Sequence, residues 1–296
     1  MGKVELYGLK ITEEIDPVTD IAALAVEAAR GHGCRIERGD VVVLTSKIVS
    51  KAEGRMVKID EIRPSRKART IGRYFKKPPE VIELYLREGE IVCVIPLRKI
   101  ARGLDNLFER FNKDREAERE VIGKDPYIFI VSVGGMLLTE GGLDFSNCPP
   151  GYCTLLPRDP DASARGIREG IRDLVGGDVA VVLTDTEIKY DKFGTQDIAV
   201  GSSGIRPVSG DFGGKDLYGK PKVGGIDNLT DLVSAAANLL FGQTSQSVPV
   251  VIIRGLEYES SEAGVKDTLY SGAQIKRAMR QCLWENLKYR AVSMFL

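Results

Sequence analysis

The chain has 296 residues, with 42 Lys or Arg and 42 Asp or Glu, so its formal net charge is zero. Apolar residues make up 43% of the sequence, which is ordinary for a globular protein. The balanced charge argues against a nucleic-acid-binding or membrane-binding surface, and the apolar runs are too short to cross a membrane. No signal peptide begins the chain, so we expect a cytoplasmic enzyme.

The predicted elements begin with a helix whose N-cap is Asp16, followed by Pro17 in the first turn. A buried strand is predicted at 41–44. Proline residues predict that two helices begin near residues 64 and 79. Strands are predicted at 91–95 and 127–133, and a charged helix between them carries Leu104, Leu107, Phe108 and Phe111 on one face.

In the second half, Asp161 is predicted to cap a helix that ends at Gly176. A strand at 179–183 precedes a glycine-rich loop at 201–225. The remaining predictions are a helix at 231–242, a strand at 248–253 and a helix at 274–287. This irregular mixture predicts an α+β (mixed α/β) fold rather than a regular doubly wound sheet.

His32 is the only histidine, which excludes a histidine-rich metal site and argues against a Ser-His-Asp mechanism. The five cysteines lack the CxxC spacing of zinc or redox sites, so we expect free thiols in a reducing compartment.

Two aspartates are predicted to follow strands and to have oxygen-bearing neighbours. Asp144 lies in Gly-Leu-Asp-Phe-Ser-Asn, and Asp185 lies in Leu-Thr-Asp-Thr. Such carboxylates suit Mg²⁺, which binds a few protein oxygens together with substrate phosphates. The alternative is structural, because Asp144 also fits an Asx turn and Asp185 a cap on the next turn.

A third segment, 45–51, follows the first predicted buried strand and carries Ser46 and Lys51. The chain has neither a Walker A loop nor a GxGxxG motif, so this segment is the best candidate for phosphate binding. A solvated strand end is the alternative. The lysines that follow Asp185, Lys189 and Lys192, fit either a phosphate or carboxylate contact or a solvated loop.

Several segments together resemble the coenzyme F420-0:gamma-glutamyl ligase family, in that family's order and approximate spacing. The longest is Gly39-Asp40-Val41-Val42-Val43-Leu44-Thr45-Ser46-Lys47-Ile48-Val49-Ser50-Lys51-Ala52-Glu53-Gly54-Arg55. The others are Gly142-Leu143-Asp144-Phe145-Ser146-Asn147, Thr184-Asp185-Thr186, Asp216-Leu217-Tyr218-Gly219, and the segments 155–164, 199–201 and 249–255.

The resemblance implies an amide ligase that joins L-glutamate to a carboxylate of a deazaflavin phosphodiester. It implies GTP as co-substrate, Mg²⁺ or Mn²⁺, and an acyl-phosphate intermediate. It also implies a family-specific gamma-glutamyl ligase fold in an intertwined homodimer. The match predicts a ligase core at 1–256 and a C-terminal helical extension at 257–296.

Site residues also follow from the resemblance. Asp144 and Asp185 would bind metal and act in catalysis, with Thr186 contributing to a second ion. Lys189 and Lys192 would replace two catalytic arginines. The residues implied in GTP binding are Ser46, Lys51, Asn147 and the N-terminal loop Thr12-Glu13-Glu14-Ile15.

Some residues depart from the family pattern. Ile188 replaces a glycine, Glu13 replaces a proline, and Glu140 adds a negative charge that we expect near the metal. An ammonium does not reproduce the bidentate contact of an arginine with a carboxylate or phosphate. Lys189 and Lys192 would therefore alter the part of the site that binds the acceptor substrate. Three alternatives therefore stay open: a ligase for another small carboxylate or amine, a non-catalytic GTP-binding regulator, and a GTP hydrolase.

Overall fold

The computed structural model describes residues 2–101, 110–111, 114–189, 192–210 and 212–294. The described strands are, in chain order, β1 (Glu5–Leu9), β2 (Val41–Thr45), β3 (Met56–Lys58), β4 (Glu90–Ile95), β5 (Ile128–Val133), β6 (Met136–Thr139), β7 (Tyr152–Thr154), β8 (Ala180–Ile188), β9 (Thr195–Ser203) and β10 (Val250–Arg254). The described helices are α1 (Ile21–Gly31), α2 (Ser46–Ala52), α3 (Arg66–Phe75), α4 (Pro79–Glu88), α5 (Leu97–Ala101), α6 (Arg115–Lys124), α7 (Pro160–Val175), α8 (Leu229–Phe241) and α9 (Gly272–Ser293). The predicted α+β class is confirmed.

The main sheet has five strands in the order β1-β10-β2-β8-β9. β2 and β8 run parallel, with Thr45 beside Thr184, and the other neighbours are antiparallel. The apolar side chains of β2 are fully buried, as expected of a strand covered on both faces. The parallel pair therefore brings the segments that follow Thr45 and Thr184 to one edge of the sheet.

Helices cover both faces of this sheet. Leu44 and Leu183 pack with α1 and α7 in one core, whereas Val43 and Val182 pack with α8 in another. Because side chains alternate along a strand, successive residues of β8 face different layers.

A second, smaller sheet has the order β4-β5-β6, and α3 and α4 pack against it around Tyr85 and Phe129. β3 and β7 form a separate two-stranded pair. The turn after β6 leads from the small sheet to β7 of this pair, and the chain reaches the main sheet at β8 only after α7.

Two predicted helix caps were wrong. Asp20, not Asp16, caps α1 by accepting a hydrogen bond from Ala23 N, and Asp16 accepts from Val18 N in the preceding turn. Asp159, not Asp161, caps α7. Asp161 is buried and accepts from backbone N–H groups distant in the chain, including those of Ser202 and Val265. A cap and such an anchor carry the same residue type, so local sequence does not separate them.

Strand lengths were also misjudged. β8 continues to Ile188, so Asp185 lies inside the strand rather than after it. β9 includes residues 201–203, which shortens the predicted loop. The predicted helix bearing Leu104, Leu107 and Phe108 lies outside the described residues.

The C-terminal helix α9 buries none of its residues against the rest of the described fold. All 22 of its residues are at least partly exposed, and an ion pair joins its Lys276 to Glu90 of β4 at 2.7 Å. Among the described segments, none forms a helix both long and apolar enough to span a bilayer.

Candidate active site

A cavity of about 810 Å³ lies where the carboxyl ends of β2 and β8 meet the turn after β6. The N-terminal loop at 11–15 and the start of α2 form one wall. The end of α8 and the segment leading to β10 form another. Three parts of the sequence that are far apart, around residues 46, 144 and 185, thus share one space.

Asp144 is held at the cavity wall by its backbone and its side chain. Its backbone pairs with Thr154, with N–O distances of 3.0 and 2.9 Å. One carboxylate oxygen accepts from Ser146 N at 2.7 Å, which is the Asx turn given above as the structural alternative. The other oxygen lies 2.7 Å from Lys47 Nζ. The turn fixes the carboxylate in the cavity, so the structural and the functional interpretation are compatible.

Asp185 lines the same cavity from β8. Burial, and after it the negative charge of Asp144, raise the pKa of this carboxyl to about 8, although Thr186 N, donating at 3.0 Å, opposes the shift. The carboxylates of Asp144 and Asp185 thus interact electrostatically at a position that is partly shielded from water. Such a pair favours either a shared proton or a bound cation.

Thr186 projects from the opposite face of β8. Its hydroxyl donates to Asp197 Oδ1 of β9 at 2.7 Å, and the same oxygen accepts from Asn238 Nδ2 of α8 at 2.7 Å. Asp197 and Asn238 also line the cavity. The hydroxyl and carboxylate oxygens on this side are a second set of hard donors.

These donors fit a hard divalent cation, because Mg²⁺ and Mn²⁺ favour carboxylate and hydroxyl oxygens. Within the described part of the chain, no group of three or more His, Cys, Asp or Glu side chains is arranged to hold a metal ion by itself. A cation here would therefore need further oxygens from water or from a substrate.

The nucleotide candidates lie on the adjoining wall. Ser46 is the first residue of α2 and is 5% exposed. Lys51 Nζ donates to the carbonyl of Asn147 at 2.8 Å, which joins α2 to the turn that carries Asp144. The N-terminal loop residues Thr12, Glu13, Glu14 and Ile15 complete this wall. All seven predicted nucleotide-binding residues thus line one cavity.

Lys189 and Lys192 are placed differently. Both are exposed, and neither is among the residues that line the cavity in the described structure. Ile188 remains in regular strand pairing with Thr195, so the loss of glycine there causes no backbone strain. Of the altered motif, the described residues Ile188, Lys189 and Lys192 thus lie outside the cavity lining.

The charge of Glu140 was expected near the metal, and Glu140 does line the cavity. Its carboxylate accepts hydrogen bonds from the Tyr85 hydroxyl and from Phe129 N, and lies 2.5 Å from Lys77 Nζ. Lys77 is itself 5% exposed. The negative charge of Glu140 is therefore paired with Lys77, next to the sheet formed by β4, β5 and β6.

Sequence reasoning missed Lys47, Asp197 and Asn238 as members of the site. Lys47 lies within the matched segment, but only the fold shows that it pairs with Asp144. Asp197 is the one charged residue of β9, and its place in the site follows only from its pairing with Thr186 across the sheet.

Known proteins resemble this chain over most of its length. The model of the family described as F420-0:Gamma-glutamyl ligase matches residues 8–255. A protein named Coenzyme F420:L-glutamate ligase from Methanopyrus kandleri is 36% identical over 250 residues, covering 84% of this chain and 86% of that protein. Proteins of the same name from Archaeoglobus fulgidus and Methanothermobacter thermautotrophicus are 30% and 33% identical, and cover 95% and 90% of this chain and 100% and 95% of their own lengths.

Proposed function

Because the chain belongs to the F420-0:gamma-glutamyl ligase family, we propose that it joins L-glutamate to the carboxylate of coenzyme F420-0. GTP is the co-substrate and Mg²⁺ or Mn²⁺ the metal in this proposal. The observation that carries it is one cavity lined by Asp144, Asp185 and Thr186 together with the nucleotide candidates Ser46 and Lys51.

The chemistry explains why a nucleotide is needed. A carboxylate is a poor electrophile, because the group that would leave is oxide. Transfer of the γ-phosphoryl group of GTP to the acceptor carboxylate forms an acyl phosphate and GDP. Attack by the neutral amine of glutamate then forms the amide and breaks the bond between the acyl carbon and the phosphate oxygen. The released phosphate takes up the proton that the amine loses.

The chain's residues have distinct parts in this scheme. Asp144, Asp185 and the Thr186 hydroxyl would hold the metal, which when bound neutralises charge on the transferring phosphoryl group. Lys47 and Lys51 lie on the cavity wall formed by α2 and the N-terminal loop, which is called the nucleotide wall here. Their positive charges would compensate the negative charges of the GTP phosphates. Lys47 is paired with Asp144 in the structure, so metal binding at Asp144 would free its ammonium for a phosphate.

The experiment that tests this measures GTP consumption by the purified protein with Mg²⁺ or Mn²⁺ and L-glutamate. It is run with and without coenzyme F420-0, and mass spectrometry identifies the products. A product heavier by one glutamyl residue, formed with stoichiometric GDP, supports the ligase. A matched Asp185→Asn protein controls for contaminating GTPases.

Other outcomes identify the alternatives. GTP consumption that needs a different carboxylate or amine indicates a related ligase, which the lysines at 189 and 192 favour. Consumption without any acceptor indicates a GTP hydrolase. GTP binding without consumption indicates a regulator.

Assembly and organisation are part of the same proposal. We infer a homodimer, with residues 1–256 as the ligase core, residues 257–296 as a helical extension, and a cytoplasmic location. Light scattering of the full chain, compared with a chain ending after residue 271, tests the dimer and the contribution of α9 to it.

A further inference from the structure

A buried carboxylate connects the two sides of the cavity. Glu187 lies on β8 and is 8% exposed. Its two oxygens accept hydrogen bonds from Thr139 N, at 2.9 and 3.0 Å, and one also accepts from Thr139 Oγ1. Thr139 is the last residue of β6 and leads into the turn that carries Asp144. This contact therefore joins the main sheet to that turn.

The strand places this contact beside the metal candidates. Asp185 and Glu187 are two residues apart on β8, so their side chains project from the same face. The first of these side chains lines the cavity, and the second holds the end of β6. One face of one strand thus carries a proposed metal ligand and an anchor for the segment that bears the other ligand.

The chain between Thr139 and Asp144 has little freedom to absorb a shift. Glu140, Gly141 and Gly142 all have positive φ values, of 53°, 64° and 69°. A Cβ at Gly142 would lie 2.8 Å from the side chain of Leu156, so the turn is also closely packed. Backbone pairing with Thr154 fixes its far end. The contact of Glu187 with Thr139 is therefore one of the anchors that hold this turn, and with it Asp144, in place.

We propose that Glu187 is a positioning residue, which sets the separation of Asp144 and Asp185 by holding Thr139. This inference rests on the proposed metal-dependent function. Glu187 is not among the described residues that line the cavity, so its role is exerted through the turn and not by contact with substrate. Partners that orient metal ligands in this way commonly change metal affinity by 10- to 100-fold when they are removed.

The test compares Glu187→Ala with Glu187→Gln. In the glutamine variant the amide oxygen still accepts from Thr139 N, and the amide group can donate to the Thr139 hydroxyl. We expect the Kd for Mn²⁺, measured by electron paramagnetic resonance with and without GDP, to rise about 10- to 100-fold in Glu187→Ala. In Glu187→Gln we expect a change of less than about threefold, and the spectrum of bound Mn²⁺ should match that of the wild type.

Glu83 provides the matched control. It accepts from Ser65 N at 2.8 Å and from Arg87 Nε at 3.1 Å, on α4 outside the cavity. Glu83→Ala should leave the Mn²⁺ affinity unchanged. If Glu187→Ala does not fold, Thr139→Val removes one of the same hydrogen bonds and should raise the Kd about threefold.

Each remaining outcome decides the question. Equal Mn²⁺ affinity in the wild type and in a folded Glu187→Ala or Thr139→Val protein overturns the positioning role and leaves the proposed function standing. Equal losses in the alanine and glutamine variants assign the effect to the charge of Glu187, and also overturn it. Failure of the wild type to bind Mn²⁺ overturns the metal site and this inference together.

Discussion

Lys47 Nζ lies 2.7 Å from Asp144 Oδ2 and donates to Ser146 Oγ at 2.5 Å, so one lysine of α2 neutralises the carboxylate proposed to bind metal. Both charged side chains are less than one-third exposed. An ammonium and a divalent cation therefore compete for the same oxygen. Occupation by metal and release of Lys47 toward the nucleotide would be coupled.

The substitution Lys47→Met should separate these two effects. We expect Mn²⁺ alone to bind about threefold to fivefold more tightly, because a half-buried ion pair of about 1 kcal/mol no longer competes. We expect the Kd for GTP to rise, because a cation on the nucleotide wall is lost. Isothermal titration calorimetry measures both, and weaker Mn²⁺ binding by the variant would contradict the competition.

Asp185→Asn should abolish metal-dependent turnover and yet stabilise the metal-free protein. The folded-state pKa of Asp185, about 8, lies above its ordinary value of 3.8, so the folded chain holds this proton more tightly than the unfolded chain. Its contribution to stability therefore falls as pH rises from about 4 to about 8, and is constant above that range. The asparagine variant lacks this titrating carboxyl, so its stability does not fall over this pH range for the same reason.

The difference in Tm, variant minus wild type, should accordingly increase between pH 5 and pH 8, and reach a few °C for a cost of about 1 to 2 kcal/mol. Thermal melts in chelator across this range measure it. A difference that shrinks with rising pH would refute the raised pKa, and full activity in the variant would refute the metal role.

Lys51→Ala should weaken GTP binding more than it affects stability. Lys51 donates to the carbonyl of Asn147 on the wall proposed to bind phosphate, and a hydrogen bond from a charged group is worth about 1.5 kcal/mol or more. We expect the Kd for GTP to rise about 10-fold or more. The control is Lys58→Ala, since Lys58 pairs with Asp60 away from the cavity. Equal GTP affinities in the two variants would return Lys51 to an ordinary surface role.

Restoring arginine at positions 189 and 192 tests the acceptor side. Both lysines are exposed and lie outside the cavity that holds the nucleotide candidates. The double substitution Lys189→Arg and Lys192→Arg should lower the KM for a phosphodiester acceptor severalfold, because a planar guanidinium binds such groups in a bidentate manner. The KM for GTP should stay constant. A change in the KM for GTP alone would show that Lys189 and Lys192 act on the nucleotide and not on the acceptor.

Lys77→Met should be strongly destabilising. Lys77 lies 2.5 Å from both Glu140 and Asp125 and is almost fully buried, so its loss leaves the partly buried Glu140 carboxylate without its cation. Removing one partner of a buried ion pair costs about 3 to 5 kcal/mol. Urea unfolding should show a loss of this order, whereas Tyr85→Phe, which removes one hydrogen bond to Glu140, should cost about 1 kcal/mol.

Local sequence patterns were sufficient where a segment's own residues decide its structure. The apolar run at 41–44 forms β2 and is followed directly by the segment that bears Ser46 and Lys51, as predicted. Gly176 ends α7 in the left-handed conformation that favours glycine. These features depend on neighbours in the chain.

Contacts between distant residues were not predictable in this way. The pairing of Lys47 with Asp144 and of Glu187 with Thr139 depends on how the two sheets are joined. Asp185 was placed after a strand because polar residues usually end one, yet β9 continues the pairing through Ile188. Tertiary hydrogen bonding prevailed there over the local pattern.

The order of strands in the main sheet has a consequence for biosynthesis. β1, near the N-terminus, is paired along its length with β10, and β10 also separates β1 from β2. β1 therefore waits for almost the whole chain before its neighbour β10 is made, and β2, which gains β8 earlier, waits as long for β10 on its other edge. Such long-range pairing slows folding and leaves β1 and β2 as open strand edges during synthesis. Any truncation before Val250 would make that transient exposure permanent.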